Sequence, residues 1–415
     1  MTAAVVVVFV LTYVLIALRR VRLLPIGRPA GALLGATAMV VIGAVTPEES
    51  YRAIDGDTIL LLLAMMLLTA ELAQTGFFAW SAERILAACR TPGRLMVIIG
   101  VASAAGSALL VNDTVCLFMT PIVVATCVRA RLPLGPYLIV LATSSNLGSA
   151  ATLVGNPQNM LIGSMSNLPF GTFLLASLPV VAVTFTLHIL LALVMYRRAL
   201  SATPAWGADA SAPRAPRPEG LAPVLVVLGG VVVAFFLGAH LGYAAMTGAV
   251  VMMVVRFREP RDTFARVDWT VLLFFCGLFV VTHAFAATGI VKDLWNDAAP
   301  HLRFDDAGGL AAFTGLMTAG SNVISNVPMV LMTGPYLPEL GHPELGFVLL
   351  AFVTTVAGNL TLVGSVANII VAEGARDHHH LGFVEYLKFG AASTLVVLAV
   401  GVPLLAWWAP LVLRP

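Results

Sequence analysis

Apolar stretches of about 20 residues recur along this chain from end to end, and few folds can accommodate them. A helix needs roughly 20 apolar residues to cross a bilayer, and in lipid it must satisfy its backbone N–H and C=O groups within its own segment. Such stretches lie at about residues 3–18, 30–46, 57–74, 137–165, 171–196, 221–238, 241–256, 269–288, 346–372 and 384–411. Of the 415 residues, 59% are hydrophobic and 11% charged, whereas a water-exposed surface needs about a quarter charged. The expected fold is an all-α polytopic membrane protein, with the lipid bilayer as its main partner. The net charge of +2, without a basic tract, gives no reason to expect nucleic acid. The stretch at residues 5–18 has no basic segment before it and no small-residue cleavage site, so it reads as a retained span.

Two more apolar stretches, about 96–128 and 309–337, are interrupted by polar residues and read as re-entrant hairpins. The basic residues test that reading. With the N-terminus outside, the cytoplasmic loops hold Arg19, Arg20, Arg22, Arg28, Arg84, Arg90, Arg94, Arg129, Arg131, Arg197, Arg198, Arg214, Arg217, Arg256, Arg258, Arg261, Arg266, Arg376 and Lys388. The outside keeps Arg52, Lys292, Arg303 and Arg414. The positive-inside rule is then met, but only if each hairpin returns to its own side. Residues 201–220, rich in Pro, Ala and Gly, read as a cytoplasmic linker. They divide the chain into residues 1–200 and 221–415, each with five spans and one hairpin. The first half starts outside and the second inside, so the expected architecture is a pair of inverted repeats with broken helices at midplane.

A short internal identity supports the duplication. Thr152-Leu153-Val154-Gly155 is followed by Asn159, and Thr361-Leu362-Val363-Gly364 by Asn368 at the same spacing. Each copy follows a polar hairpin tip, Asn112-Asp113-Thr114 in one half and Ser325-Asn326 in the other. Gly155, Asn156 and Pro157 break a helix at about 137–165; Gly358, Asn359 and Gly364 do so at about 346–372. Irregular backbone at membrane depth is tolerated where protein or a watery cavity satisfies it, and paired broken helices mark a transporter's binding site. The expected substrate-binding residues are Asn112, Asp113 and Thr114 with Ser145, Asn146, Thr152, Gly155, Asn156 and Asn159 in the first half. In the second half they are Ser325, Asn326, Asn359, Thr361, Gly364, Ser365 and Asn368. The competing reading is that small and polar residues in membrane helices merely let helices pack closely.

Asp113 stands out, because a carboxylate inside an apolar hairpin costs about 2.5 kcal/mol or more to insert and is kept for function or pairing. It is a candidate proton carrier or ligand for sodium; the bland alternative is a cap on a helix N-terminus. Glu71, near the cytoplasmic end of its span, reads first as a snorkelling side chain and second as part of a proton exit. His283, deep in an apolar span, is a candidate proton relay. Cys89, Cys116, Cys127 and Cys276 have no metal spacing and read as buried small side chains. His378-His379-His380 reads as a solvated loop. No metal site or organic cofactor is expected, and the chain holds no Ser-His-Asp set, HExxH motif or paired core carboxylates that an enzyme would need.

The stretches ATSSNLGSAATLVGNPQNMLIG, VNDTVCLFMTPIVV, SNVISNVPMVLM and AGNLTLVGSVANIIV resemble the broken helices and hairpin tips of the ion transporter superfamily. The similarity is greatest to its arsenite permease and plant silicon efflux branch, with the citrate and dicarboxylate carriers behind. It implies an elevator-type carrier, usually a homodimer, in the cell inner membrane. Dicarboxylate carriers of the superfamily carry Ser-Asn-Thr at each tip and bind sodium there, whereas these tips read Asn112-Asp113-Thr114 and Ser325-Asn326-Val327. The departure favours the arsenite and silicon branch.

A site rich in amides and hydroxyls, with one acid and no cation, suits a small hydroxylated inorganic solute or anion such as arsenous or silicic acid, exported in exchange for protons. The alternatives are sodium-coupled di- or tricarboxylate (citrate-like) or other anion symport, and sodium/proton antiport. The coupling ion is thus a proton or sodium.

Overall fold

A computed structural model describes residues 1–17, 27–89, 91–201, 217–256 and 259–413, and every regular element among them is helical. Arg19, Arg20, Arg22, Arg90, Arg214, Arg258 and Arg414 lie outside the described residues, as do residues 202–216 of the expected linker.

The first half runs α1 (Thr2–Ala17), α2 (Arg28–Val41), α3 (Pro47–Ala53), α4 (Gly56–Gln74), α5 (Phe77–Ala88), α6 (Pro92–Leu109), α7 (Asn112–Ala130), α8 (Leu134–Ser149), α9 (Pro157–Ser166), α10 (Phe170–Met195) and the short α11 (Arg197–Leu200). The second runs α12 (Leu221–Phe236), α13 (Leu241–Arg256), α14 (Pro260–Phe264), α15 (Trp269–Ala286), α16 (Ile290–Ala298), α17 (Ala307–Ile324), α18 (Asn326–Thr333), α19 (Pro343–Ala357), α20 (Val366–Gly374) and α21 (Phe383–Val412). Helices α4, α6, α7, α10, α15 and α21 are long and apolar enough to cross a membrane; α1, α2, α12, α13 and α19 are shorter but apolar.

Local chemistry sets the boundaries. Proline occupies the first turn of α3, α6, α9, α14 and α19, where its missing N–H costs nothing. Asp55 and Asp268 cap α4 and α15, each accepting backbone N–H bonds of the first turn. Thr46 and Glu49 form a capping box at α3. The stretches 75–95 and 289–308, read from sequence as loops, contain α5 and α16: both are amphipathic, so no uninterrupted apolar run reveals them.

Helices α6 and α7 fold back on each other at Leu110–Val111, so that Gly106 faces Val115. Helices α17 and α18 do the same at Ser325, with Gly320 against Met329. Helices α8 and α9 are separated by an irregular stretch, residues 150–156, and α19 and α20 by residues 358–365. The innermost helices are α8, buried from Tyr137 through Ser149, and α19, buried from Leu345 through Ala357. Packing around them is matched: α6 on α8 and α17 on α19, α7 on α20 and α18 on α9, α10 on α21. Outside this group α2 packs on α15 and α4 on α13, with α1 and α12 flanking. Glycine permits the tightest approach, since a Cβ on Gly148 would collide with the backbone of Ala104.

Two expectations change. Glu71 does not snorkel: it is buried, and Arg256 Nη1 donates to its Oε2 at 3.0 Å while Thr263 Oγ1 donates to Oε1. A carboxylate with both oxygens partnered gains nothing from reaching water, and here it ties α4 to α13 and α14. His283 is exposed in the last turn of α15, close enough to Glu49 for their charges to interact, and does not reach the interior. The carboxyl of Glu49 is held below the usual range by the Thr46 N–H and hydroxyl, with a smaller contribution from His283. The buried histidine is instead His188 of α10. Its Nδ1 lies 2.7 Å from Ser393 Oγ of α21 and its Nε2 3.1 Å from Ser144 Oγ of α8.

Candidate substrate site

The two turnabouts and the two breaks meet at one small cavity. Its walls are Asn112 and Asp113 of α7, Pro157 and Gln158 of α9, Ser325, Asn326 and Val327 around the start of α18, Ser365 and Val366 at the start of α20, and Phe274 and Phe275 of α15. Its volume is about 30 Å³, room for about two waters. The first turns of α7, α9, α18 and α20 therefore face the same space. A helix N-terminus carries unsatisfied N–H groups and about half a positive charge. Only α9 spends a side chain on capping, with Asn156 Oδ1 accepting from Asn159 N at 2.9 Å. Helices α7, α18 and α20 have no side-chain cap; the first N–H of α7, that of Asn112, goes to Gly155 O, and the other first-turn N–H groups are available to a ligand. Ser325 holds a left-handed backbone, φ 76°, at the second tip, a strained conformation for a residue with a Cβ.

Acceptors balance these donors. Asp113 contributes a buried carboxylate. Asn112 Oδ1 and Asn326 Oδ1 are buried with no hydrogen-bond partner among the described residues. One belongs to each tip, and both residues line the cavity. Buried amide oxygens are seldom left unpaired, so each such atom calls for an explanation. Among the described residues, no Lys, Arg or His side chain lines the space.

Behind the cavity a web of amides holds its frame. Asn146 Oδ1 accepts from Asn112 Nδ2 at 2.9 Å and Ser365 Oγ at 3.1 Å, while its Nδ2 donates to Asn359 Oδ1 at 2.9 Å and Asn368 Oδ1 at 3.0 Å. Asn359 Nδ2 donates in turn to Thr143 O at 3.0 Å. Asn156 Nδ2 reaches Ser149 Oγ at 2.8 Å, and Gln158 Nε2 reaches Thr355 Oγ1 at 3.2 Å. The backbone N–H of Asn112 donates to Gly155 O at 2.9 Å, fastening the first tip to the first break.

Of the residues expected from sequence, Asn112, Asp113, Ser325, Asn326 and Ser365 face the cavity. Ser145, Asn146, Asn156, Asn159, Asn359 and Asn368 lie one layer behind, their side chains bonded to other protein groups. Thr152 bonds Ala108 O at 2.7 Å and Thr361 bonds Asn322 Oδ1 at 3.1 Å. Gly155 and Gly364 allow close backbone approach, Thr114 is half-buried, and none of the three lines the cavity. Glu71 and His283 are not part of it. Cys116 is buried but does not line it, and His379 pairs with Glu385 at 3.2 Å. Sequence reasoning missed Gln158, which its place just after the helix-starting Pro157 could have revealed. It also missed Phe274 and Phe275, which nothing distinguishes within an apolar span.

The sequence matches the profile of the CitMHS family, described as citrate transporters, over residues 13–357. It is 33% identical to the silicon efflux transporter LSI3 of Oryza sativa subsp. japonica, covering 92% of this chain and 93% of that one. A proposed transporter of Dictyostelium discoideum, arsB, is 29% identical over 92% of this chain and 87% of its own length. Among solved structures, the YdaH transporter of Alcanivorax borkumensis superposes with a TM-score of 0.58 at 17% identity, covering 98% of this chain and 97% of that one, a likeness of fold. Relatives and fold alike are those of membrane transporters, and the chain belongs to the citrate transporter family.

Proposed function

We propose that this protein is a proton-coupled efflux carrier for a small hydroxylated inorganic solute or its anion, of the arsenous or silicic acid type. The observation that carries this reading is the pair of orphaned oxygens, Asn112 Oδ1 and Asn326 Oδ1, on two residues that line one small cavity, which helix N-termini without side-chain caps also line. A solute with several O–H groups meets both needs: it donates to the amide oxygens and to Asp113, and accepts from the first-turn N–H groups. Asp113 is then the proton carrier, binding the solute when ionised and releasing it when protonated. The silicon efflux relative is in keeping with this substrate class.

The matched order of elements and of helix pairings supports two inverted repeats, 1–200 and 221–415, joined by a cytoplasmic linker. Helices α6–α10 and α17–α21 form the moving body of an elevator, and α1–α4 with α12–α15 its frame. The arginine distribution supports an N-terminus outside and a location in the cell inner membrane. A homodimer is the assembly such a frame would form.

The four converging N-termini favour a second reading, a sodium-coupled di- or tricarboxylate carrier. Proteoliposomes holding a pH-sensitive dye separate the two. Arsenite or silicic acid should move protons with the native protein and fail to do so with Asp113→Asn. Flux seen only with sodium plus citrate or succinate, and retained in Asp113→Asn, would replace the first reading by the second.

A further inference from the structure

The two halves meet their frame unequally. Helix α4 packs along α9, and Ser164 Oγ of α9 donates to Asp55 Oδ2 at 3.0 Å. Asp55 caps α4 through its other oxygen, accepting from Thr58 N at 2.7 Å. The matching elements of the second half are α15 and α20, and comparable packing does not join them. Asp268 caps α15 as Asp55 caps α4, through Oδ1, and its Oδ2 accepts no hydrogen bond among the described residues. Ser164 lies five residues past Asn159; the residue five past Asn368 is Glu373, which is exposed. Asp268 lies about two turns from the cavity residues Phe274 and Phe275, and Glu373 two turns from Val366, roughly 10 Å each way. In the proposed topology the pair lies on the cytoplasmic side of the cavity, and the bonded Ser164 and Asp55 lie on the opposite side.

We propose that Asp268 and Glu373 form the cytoplasmic gate and close on each other by sharing one proton. The inference rests on the inverted-repeat reading above: in the alternate state the contacts of the two halves exchange, and the place of the Ser164–Asp55 bond is taken by two carboxylates. Two ionised carboxylates repel at that distance, and one proton between them replaces the serine hydroxyl. The proton comes from the cytoplasm on closing and returns there on opening, so it is not the transported proton. Acidification of the cytoplasm favours the closed gate. The other charged groups toward this end, from elements packed against α15 and α20, are Arg28 of α2, Glu71 of α4, and Asp113 and Arg129 of α7. Glu71 is occupied by Arg256. Those of α3 and α16 lie at the other end of α15, and α1, α8 and α18 carry none.

The test uses the full-length protein in nanodiscs, in an Asp113→Asn background so that the site carboxylate does not titrate. Spin labels at Phe264→Cys and Asp377→Cys, with native cysteines replaced, report the gate distance from pH 5.5 to 8. The ratio of closed to open gate should rise with falling pH, by up to about tenfold per unit for one proton. Glu373→Ser, which copies the opposite latch, should remove that dependence. Separately, the pair Asp55→Cys/Ser164→Cys should cross-link, as should Asp268→Cys/Glu373→Cys. If the second pair never cross-links and no short distance occurs at any pH, both the gate and the inverted-repeat reading fall. If it cross-links but Glu373→Ser keeps the pH dependence, or closure follows sodium at fixed pH, the shared proton falls and the repeat reading survives.

Discussion

Asn159 and Asn368 make the same two hydrogen bonds in the two halves of the chain. Asn159 Nδ2 donates to the carbonyls of Ser149 at 3.2 Å and Thr152 at 2.9 Å, ten and seven residues before it. Asn368 Nδ2 donates to those of Gly358 at 2.8 Å and Thr361 at 3.1 Å, again ten and seven residues before. Each break frees carbonyls at the end of its first half-helix, and one amide closes two of them. The side chain that satisfies the break travels with the break, which explains the fixed spacing of the motif.

Replacing either asparagine by alanine should destabilise the protein by roughly 2–4 kcal/mol, because two buried carbonyls lose their donor. Thermal unfolding in detergent should show similar losses for Asn159→Ala and Asn368→Ala. A loss at one site alone would mean that the two breaks are supported differently.

Asn326→Ala should behave in the opposite way. The Oδ1 of Asn326 has no partner to lose, so stability should change by less than about 1 kcal/mol. Solute affinity, measured by the concentration dependence of transport, should weaken about tenfold, the worth of one hydrogen bond to a buried acceptor. Unchanged affinity would remove Asn326 from the site.

Glu71→Ala should leave Arg256 buried without its carboxylate and cost about 3–5 kcal/mol. Replacing both partners, as in Glu71→Leu with Arg256→Met, should recover most of that loss. Melting temperatures of the single and double variants give the comparison. If the double variant is stable yet does not transport, Glu71 belongs to a proton route after all.

Gly148→Ala places a Cβ against the Cα and carbonyl of Ala104, a backbone neighbour that cannot rotate away. Overpacking of this kind costs roughly 1–3 kcal/mol. Gly229→Ala, with open space around it, should be neutral or slightly stabilising in the same melting assay.

The sequence by itself determined that this chain is helical and lives in lipid, because about 20 apolar residues in succession leave the backbone no other way to satisfy itself. It also marked where helices stop: Gly155, Asn156 and Pro157, like Gly358 and Asn359, carry their local conformational effect wherever they are placed. Asn112, Asp113 and Asn326 were legible for the same reason, as polar groups too costly to leave in apolar helices without use. Tertiary structure decided which of many similar amides face the cavity. Asn146 and Asn326 are the same side chain in comparable surroundings, yet one is bonded on both its atoms to four groups and the other keeps a bare oxygen. That difference depends on partners up to 222 residues away along the chain. The pairing of Glu71 with Arg256, the bridging of three helices by His188 and the place of Phe274 and Phe275 in the cavity wall depend on distance in the same way. Hydrogen bonding and packing act over a few ångströms in space, and only the folded chain brings such residues within that reach.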